Sequence, residues 1–329
     1  WRAPPLQGAV PSDERWRGEQ ERTVTSVSLD KPVKAPTFQG VSARRKLTNT
    51  TATVLVSASV LVALVPLLWV LATVVIKGFN AVTSATWFTN SQAGMTAFRE
   101  GGGVYHALVG TLLQGAVCAV ISIPIGVMVA VYLVEYGGGT RLGKLTTFMV
   151  DILTGVPSIV AALFIYALWV ATLGFERSGF AVSLALVLLM IPVIVRATEE
   201  MLRIVPMDLR EASYALGVPK WKTIVRIVIP TALSGIVTGI MLSLARVMGE
   251  TAPLLVLVGY AASINFDMFG GFMGSLPGMI YAQTSAGAIG ANVITTDRLW
   301  GAALTLVLLI AILNIAARLV AKIFAPKKV

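Results

Sequence analysis

Two charged residues, Arg246 and Glu250, stand four positions apart inside an otherwise apolar run. On a helix that spacing puts them on one face, where they neutralise each other. A charge within a membrane-spanning helix costs about 2.5–3.5 kcal/mol on insertion scales, so such a face belongs inside a bundle and not against lipid. Gly249, beside them, admits a close approach by another helix or a substrate. An arginine held by an internal carboxylate can exchange it for an oxyanion with little added desolvation, and its planar fork matches phosphate oxygens in pairs. The same two residues also suit a static ion pair that fixes helix register, and their types alone leave both readings open.

A second set lies in the loop from about 196 to 226. Pro206 ends whatever helix precedes it. Asp208 suits an N-cap and Glu211 follows three residues later, as in a capping box. Ala212, Ala215 and Leu216 make a small apolar face. Gly217 suits the left-handed position after a helix, and Pro219 suits the first position of the next one. The spacing predicts a short helix over 209–216, fixed at both ends and lying along the membrane surface. Its charged side suits the grip of a soluble partner. A plain amphipathic loop helix fits equally well.

Other chemistry is missing. Gly138-x4-Gly143-Lys144 looks like a phosphate-binding loop, but Leu145 stands where Ser or Thr must hold magnesium, and no buried strand precedes it. There is no Ser/His/Asp set, no paired catalytic carboxylates and no metal-ligand spacing. Cys118 reads as a small buried hydrophobe and His106 as an interfacial residue. Asp151 and Arg196 are secondary candidates, and Asp151 is read first as a structural residue near the inner surface.

The elements that must hold these residues are membrane helices. The 329-residue chain is 13 % charged with a mean hydropathy of +0.81. That is about half the charge of a soluble domain, too little to cover a soluble globule. The expected fold is all-α, a polytopic transmembrane bundle of about six spans, a spanning helix needing about 20 apolar residues. The runs are roughly 52–76, 105–134, 145–173, 180–195, 224–258 and 299–321. With the N-terminus inside, 15 Lys and Arg fall in cytoplasmic segments and four fall outside. Both termini are therefore expected in the cytoplasm. The net charge of +10 reflects this bias, and no nucleic-acid partner is expected. Residues 1–46 hold nine of the 26 basic residues and read as a polar tail, too polar for a signal peptide; 47–329 form the membrane domain. Two outer segments are long, 78–104 and the Gly-rich 260–297, the latter either a lid-like re-entrant piece or an ordinary interfacial loop.

Glu211-Ala212-Ser213-x3-Gly217-x9-Ile227-x-Ile229-Pro230 resembles the Glu-Ala-Ala loop of permease subunits of binding-protein-dependent ABC importers, with Ser213 for the second Ala and Ile229 for Leu. Arg246-Val-Met-Gly-Glu250-Thr-Ala-Pro-Leu-Leu255 and Arg196-Ala-Thr-Glu-Glu-Met-Leu202 resemble the PstA-type phosphate permeases. The likeness runs from about Ala52 to the end and implies a type I importer permease in the bacterial plasma membrane. It implies a non-catalytic subunit that carries inorganic phosphate. Its implied partners are a PstC-type permease, two PstB-type ATPases that bind ATP and magnesium, and an external PstS-type binding protein. No cofactor or metal is expected on this chain. Asp208, Arg210, Glu211, Ala212, Ser213 and Gly217 would meet the ATPase, and Arg246, Gly249 and Glu250 would line the path. Sulfate or molybdate are alternative substrates. An ion-coupled carrier is the other class, but it calls for an internal repeat that this sequence does not display.

Overall fold

The computed structural model describes residues 42–96, 98–285 and 293–324, and all regular structure in them is helical. The expected tail, 1–46, lies outside the described residues except for 42–46.

The described residues fall into two units, divided between 64 and 65. In the first, residues from Ala43 onward are already helical, in α1 (Ala43–Thr83). Val54, Leu55, Leu61 and Val62 are exposed there. Thr48, Thr50 and Thr53 return their hydroxyls to carbonyls four residues back, which hides polar atoms that lipid cannot solvate.

The second unit holds the rest of α1, α2 (Tyr105–Val131), α3 (Arg141–Thr154), α4 (Ser158–Ile165) and α5 (Gly179–Ile204). It continues with α6 (Met207–Ala215), α7 (Lys220–Thr223), α8 (Ile229–Met248), α9 (Ala252–Leu257), α10 (Leu276–Ser285) and α11 (Val293–Phe324). The wider π-type turns extend α2 through Tyr132–Tyr136, α4 through Tyr166–Thr172, and lead into α8 through Ile224–Val228. α5 is central, packing against α2, α4 and α8, while α11 packs on α8 and α10. One core gathers Cys118, Val182, Leu186, Met190 and Leu257. A second, at the end of α5 nearer α6, gathers Leu133, Leu202, Val205, Val228 and Ile236. Small residues bring helices together: a Cβ on Gly239 would stand 2.5 Å from the Ala197 Cβ, so α8 closes on α5 backbone to backbone.

Among the described residues five helices are long and apolar enough to cross a membrane, and two expected spans are broken. The run at 145–173 is the pair α3–α4, bent by 105°. Gly155 closes α3, and Pro157 stands extended at φ −61°, ψ 140° before α4. A residue before proline disfavours helical geometry, so Val156 turns the chain. The run at 224–258 stops at Met248 and resumes as α9, because Pro253 cannot donate to a carbonyl four residues back. The fourth run is longer than its apolar stretch: α5 continues to Ile204, with Glu199 pairing to Arg196 at 2.8 Å and Arg203 at 2.6 Å.

Candidate functional site

The loop helix forms, with shifted ends. α6 begins at Met207 with Pro206 as its N-cap, and no side chain caps it. Asp208 therefore lies in the first turn and not at the cap, and there is no capping box. Proline, already extended and lacking an N–H, occupies the cap two residues earlier than the sequence suggests, and Asp208 still complements the helix dipole. Gly217 has φ +73°, the left-handed geometry that ends the helix. Pro219 is the N-cap of α7, one position before the expected one.

Of the residues expected at the ATPase, Asp208, Glu211, Ala212 and Gly217 are exposed. Arg210 and Ser213 are not, because the face they share packs back on the chain. Ser213 Oγ lies 2.8 Å from Thr223 Oγ1. Arg210 meets Glu135 at 3.0 Å and donates to the Leu202 carbonyl at 3.0 Å. Lys220 donates to the Glu135 carbonyl and lies 4.8 Å over the Tyr136 ring. Leu216 and Trp221 add exposed apolar surface on the free side.

The expected Arg246–Glu250 ion pair is absent. Four ion pairs occur among the described residues, and this is not one of them. Gly249 ends α8, so Glu250 is not helical and the four-residue spacing no longer aligns the two. They part company. Glu250 faces a small cavity with Thr111, Gln114, Gly115 and Ser275. Gln114 is buried, and its Nε2 has no partner. Arg246 is exposed at the end of a stripe down α8, with Thr231, Ser234, Thr238 and Leu242. Steps of three and four put these on one face. Beside it lies a cavity of about 380 Å³ bordered by Glu200, Ser234 and Thr238. Thr231 and Thr238 return their hydroxyls to carbonyls four residues back, so it is the guanidinium, on a helix apolar enough to span, that makes lipid a poor neighbour for the stripe.

Asp151 and Arg196 are brought together. Arg196 bonds both Asp151 and Glu199, linking α3 to α5, and Arg203 completes the chain of charges. Lys144, Asp151, Glu199 and Arg203 border a cavity of about 370 Å³.

A sequence model of the family described as binding-protein-dependent transport system inner membrane component matches residues 122–329. The chain belongs to this family. It is 57 % identical over 297 residues to the phosphate transport system permease protein PstA 1 of Mycobacterium tuberculosis strain H37Rv, covering 89 % of this chain and 94 % of that one. It is 58 % identical over 292 residues to PstA of Mycobacterium leprae, covering 88 % and 93 %, and 39 % identical over 284 residues to PstA of Pasteurella multocida, covering 86 % and 96 %. Within the family it is a PstA-type permease, a multi-pass protein of the inner membrane. In fold it is similar to a chain of a bacterial alginate ABC transporter, with a TM-score of 0.59 at 12 % identity, covering 86 % of this chain and 97 % of that one. A chain of the MetNI methionine ABC transporter gives a TM-score of 0.52 at 21 % identity, covering 68 % and 95 %.

At the other end of this permease a polar network escaped the sequence reading. His106 is buried, not interfacial, and its Nε2 lies 2.9 Å from the Tyr260 hydroxyl. Tyr260 donates to Gln92 Oε1 at 3.2 Å, and Gln283 donates to the same oxygen at 2.8 Å. With its one hydrogen given to Gln92, Tyr260 accepts from His106. Burial pushes the Tyr260 hydroxyl well above the usual tyrosine range, against the pull of Arg298, so it remains a donor at neutral pH. Arg298 caps the carbonyls of Thr96 at 3.1 Å, Gly101 at 3.0 Å and Arg99. The segment at 260–275 packs over α5: Met268 accepts from the Phe180 N–H at 2.7 Å, and the Phe180 and Phe269 rings lie 4.7 Å apart. The remainder of the Gly-rich segment includes 286–292, outside the described residues. Glutamines spaced far apart in sequence carry no pattern.

Proposed function

We propose that this chain is the PstA-type half of an ATP-driven phosphate importer and catalyses no reaction itself. The observation that carries the reading is the exposed stripe of hydroxyls and Arg246 down α8. On a spanning helix such a face needs a water-filled path or a second protein, and a guanidinium at its end suits an oxyanion. The names of its relatives supply phosphate as the oxyanion. α8 would pair across this path with a second, PstC-type permease, and a PstS-type protein would deliver phosphate from outside. Two PstB-type ATPases, holding ATP and magnesium, would close on α6 through Asp208, Glu211, Ala212 and Gly217. The chain itself holds no cofactor or metal in this scheme, and both termini lie in the cytoplasm.

Closure of the ATPases pushes α6. The push reaches α5 through Arg210 and Leu202, and α8 through Ser213 and Thr223. α8 then turns its stripe from one side of the membrane to the other. Arg246 holds the anion by charge and paired hydrogen bonds while it is out of water.

The test is uptake by the full transporter in proteoliposomes with ATP inside. The Arg246→Ala variant is expected to lose phosphate uptake by about a hundredfold, as loss of a charge-assisted contact of about 2–3 kcal/mol would. Normal uptake by that variant would remove Arg246 from the path. Competition by sulfate or molybdate at phosphate-like concentrations would reassign the substrate.

A further inference from the structure

α6 is joined to the chain by an ordinary contact and by an unusual one. The ordinary contact is the Ser213–Thr223 hydrogen bond across the Gly217 turn. The unusual one is a buried charge pair. Arg210 and Glu135 meet at 3.0 Å with side chains only 9 % and 6 % exposed. Glu135 lies in the wide turn that ends α2, and Lys220, beyond the Gly217 turn, donates to the carbonyl of that same residue. The segments before and after the turn are thus both tied to one position of α2.

A buried ion pair is a poor way to gain stability, since apolar side chains of similar volume serve as well or better. This pair is also incompletely bonded. Arg210 Nη2 gives its hydrogen bond to Leu202, Arg210 Nε has no partner, and Glu135 Oε1 accepts no hydrogen bond. What the pair supplies is an attraction that persists over small displacements, because it falls only as the inverse of distance. The helix on each side has room to give. Turns of π type lie at Tyr132–Tyr136 and at Ile224–Val228, and such turns interrupt the regular ladder. At its other reaches α2 carries Thr111, Gln114 and Gly115, which border the Glu250 cavity.

We propose that Glu135 is a positioning residue for transport: through Arg210 and Lys220 it makes the inner end of α2 follow α6. Displacement of α6 then reaches the Glu250 cavity along α2, with the two π-type stretches absorbing the change in register. This rests on the reading of α6 as the ATPase contact.

The experiment uses the full transporter in proteoliposomes and measures phosphate moved per ATP hydrolysed, with co-purification of the ATPase as a second readout. Glu135→Gln is expected to keep the ATPase bound and hydrolysing while the ratio falls about tenfold, within the usual range of coupling between sites. The double variant Glu135→Leu, Arg210→Met is expected to assemble and melt as the parent does, and still to show the lowered ratio. A parent-like ratio in the double variant makes the pair a packing element and overturns the proposal. So does a proportional fall of uptake and hydrolysis in Glu135→Gln. Glu211→Lys serves as the control for the underlying reading and is expected to lose the ATPase. If the ATPase stays bound there, the assignment of α6 fails first; if it is lost there and the ratio holds in the Glu135 variants, only the present proposal fails.

Discussion

Ser213 replaces an alanine of the family pattern, and its surroundings say why the exchange is harmless. Its hydroxyl is buried against Thr223, and Thr223 has the Pro219 carbonyl as a second partner at 3.4 Å. Ser213→Ala removes one neutral hydrogen bond and leaves no unsatisfied group, a loss of about 1 kcal/mol. The melting temperature of the purified transporter is expected to fall slightly. Ser213→Leu must instead push α6 off α7, and the same melting curve is expected to show a large loss. At this scale the sequence reveals type but not direction. Arg203 and Arg210 look alike in the chain, two basic residues in one loop. One is two-thirds exposed and the other is buried, and the difference lies in Glu135, distant in sequence. Arg246 and Glu250 mislead in the opposite sense: a pairing rule that holds on an unbroken helix was applied across a helix end.

That helix end belongs to the scale of elements, where much was legible. The apolar runs located each long helix, and Gly217 and Pro219 located the turn after α6. The proline pattern suggests bends at Pro124, Pro157, Pro192 and Pro230, and the break at Pro157 agrees; the break before Pro253 is not legible, although its proline is visible. Pro66, Pro124 and Pro192 sit inside continuous helices, whereas Pro157 and Pro253 open new ones. Glycine makes the difference. Gly155 and Gly249 stand within four residues before the second pair; no glycine precedes the first three so closely, Gly126 coming only after Pro124. Proline removes one hydrogen bond, and a nearby glycine lets the backbone leave helical geometry at low cost. The contact of α8 with α5 makes a further prediction. Gly239→Val must displace the Ala197 side chain or separate the helices, at a cost of about 1–3 kcal/mol. The purified transporter is expected to melt lower, and Gly239→Ala is expected to fall between the two.

For the whole molecule, one chain does not complete its own surroundings. The α8 stripe is bare, and so are Leu145, Phe148, Ile152, Leu163 and Phe164 along α3 and α4. Apolar side chains rest well in lipid, and Thr231 and Thr238 hide their hydroxyls on carbonyls four residues back, but the Arg246 guanidinium is a poor guest there. The chain produced without its partner permease is therefore expected to be cleared from the membrane, and quantitative immunoblotting of membranes with and without that partner measures this. Equal levels would mean that the stripe is tolerated by lipid. Sequence gave no access to this dependence, because exposure of a helix face is decided by what its neighbours leave uncovered.

The four basic residues assigned to the outer side carry one more consequence. Lys77 lies 5.1 Å over Trp300, Arg177 lies 5.2 Å over Tyr166, and Arg298 spends its guanidinium on three carbonyls. Each keeps its charge, but Glu100, Glu176, Asp267 and Asp297 stand in the same segments and balance the four. Electrostatic attraction through saline fades within about 8 Å. In the proposed scheme a dianion drifting past this entrance would feel little net pull, and cargo would have to be released at touching distance, directly into the mouth.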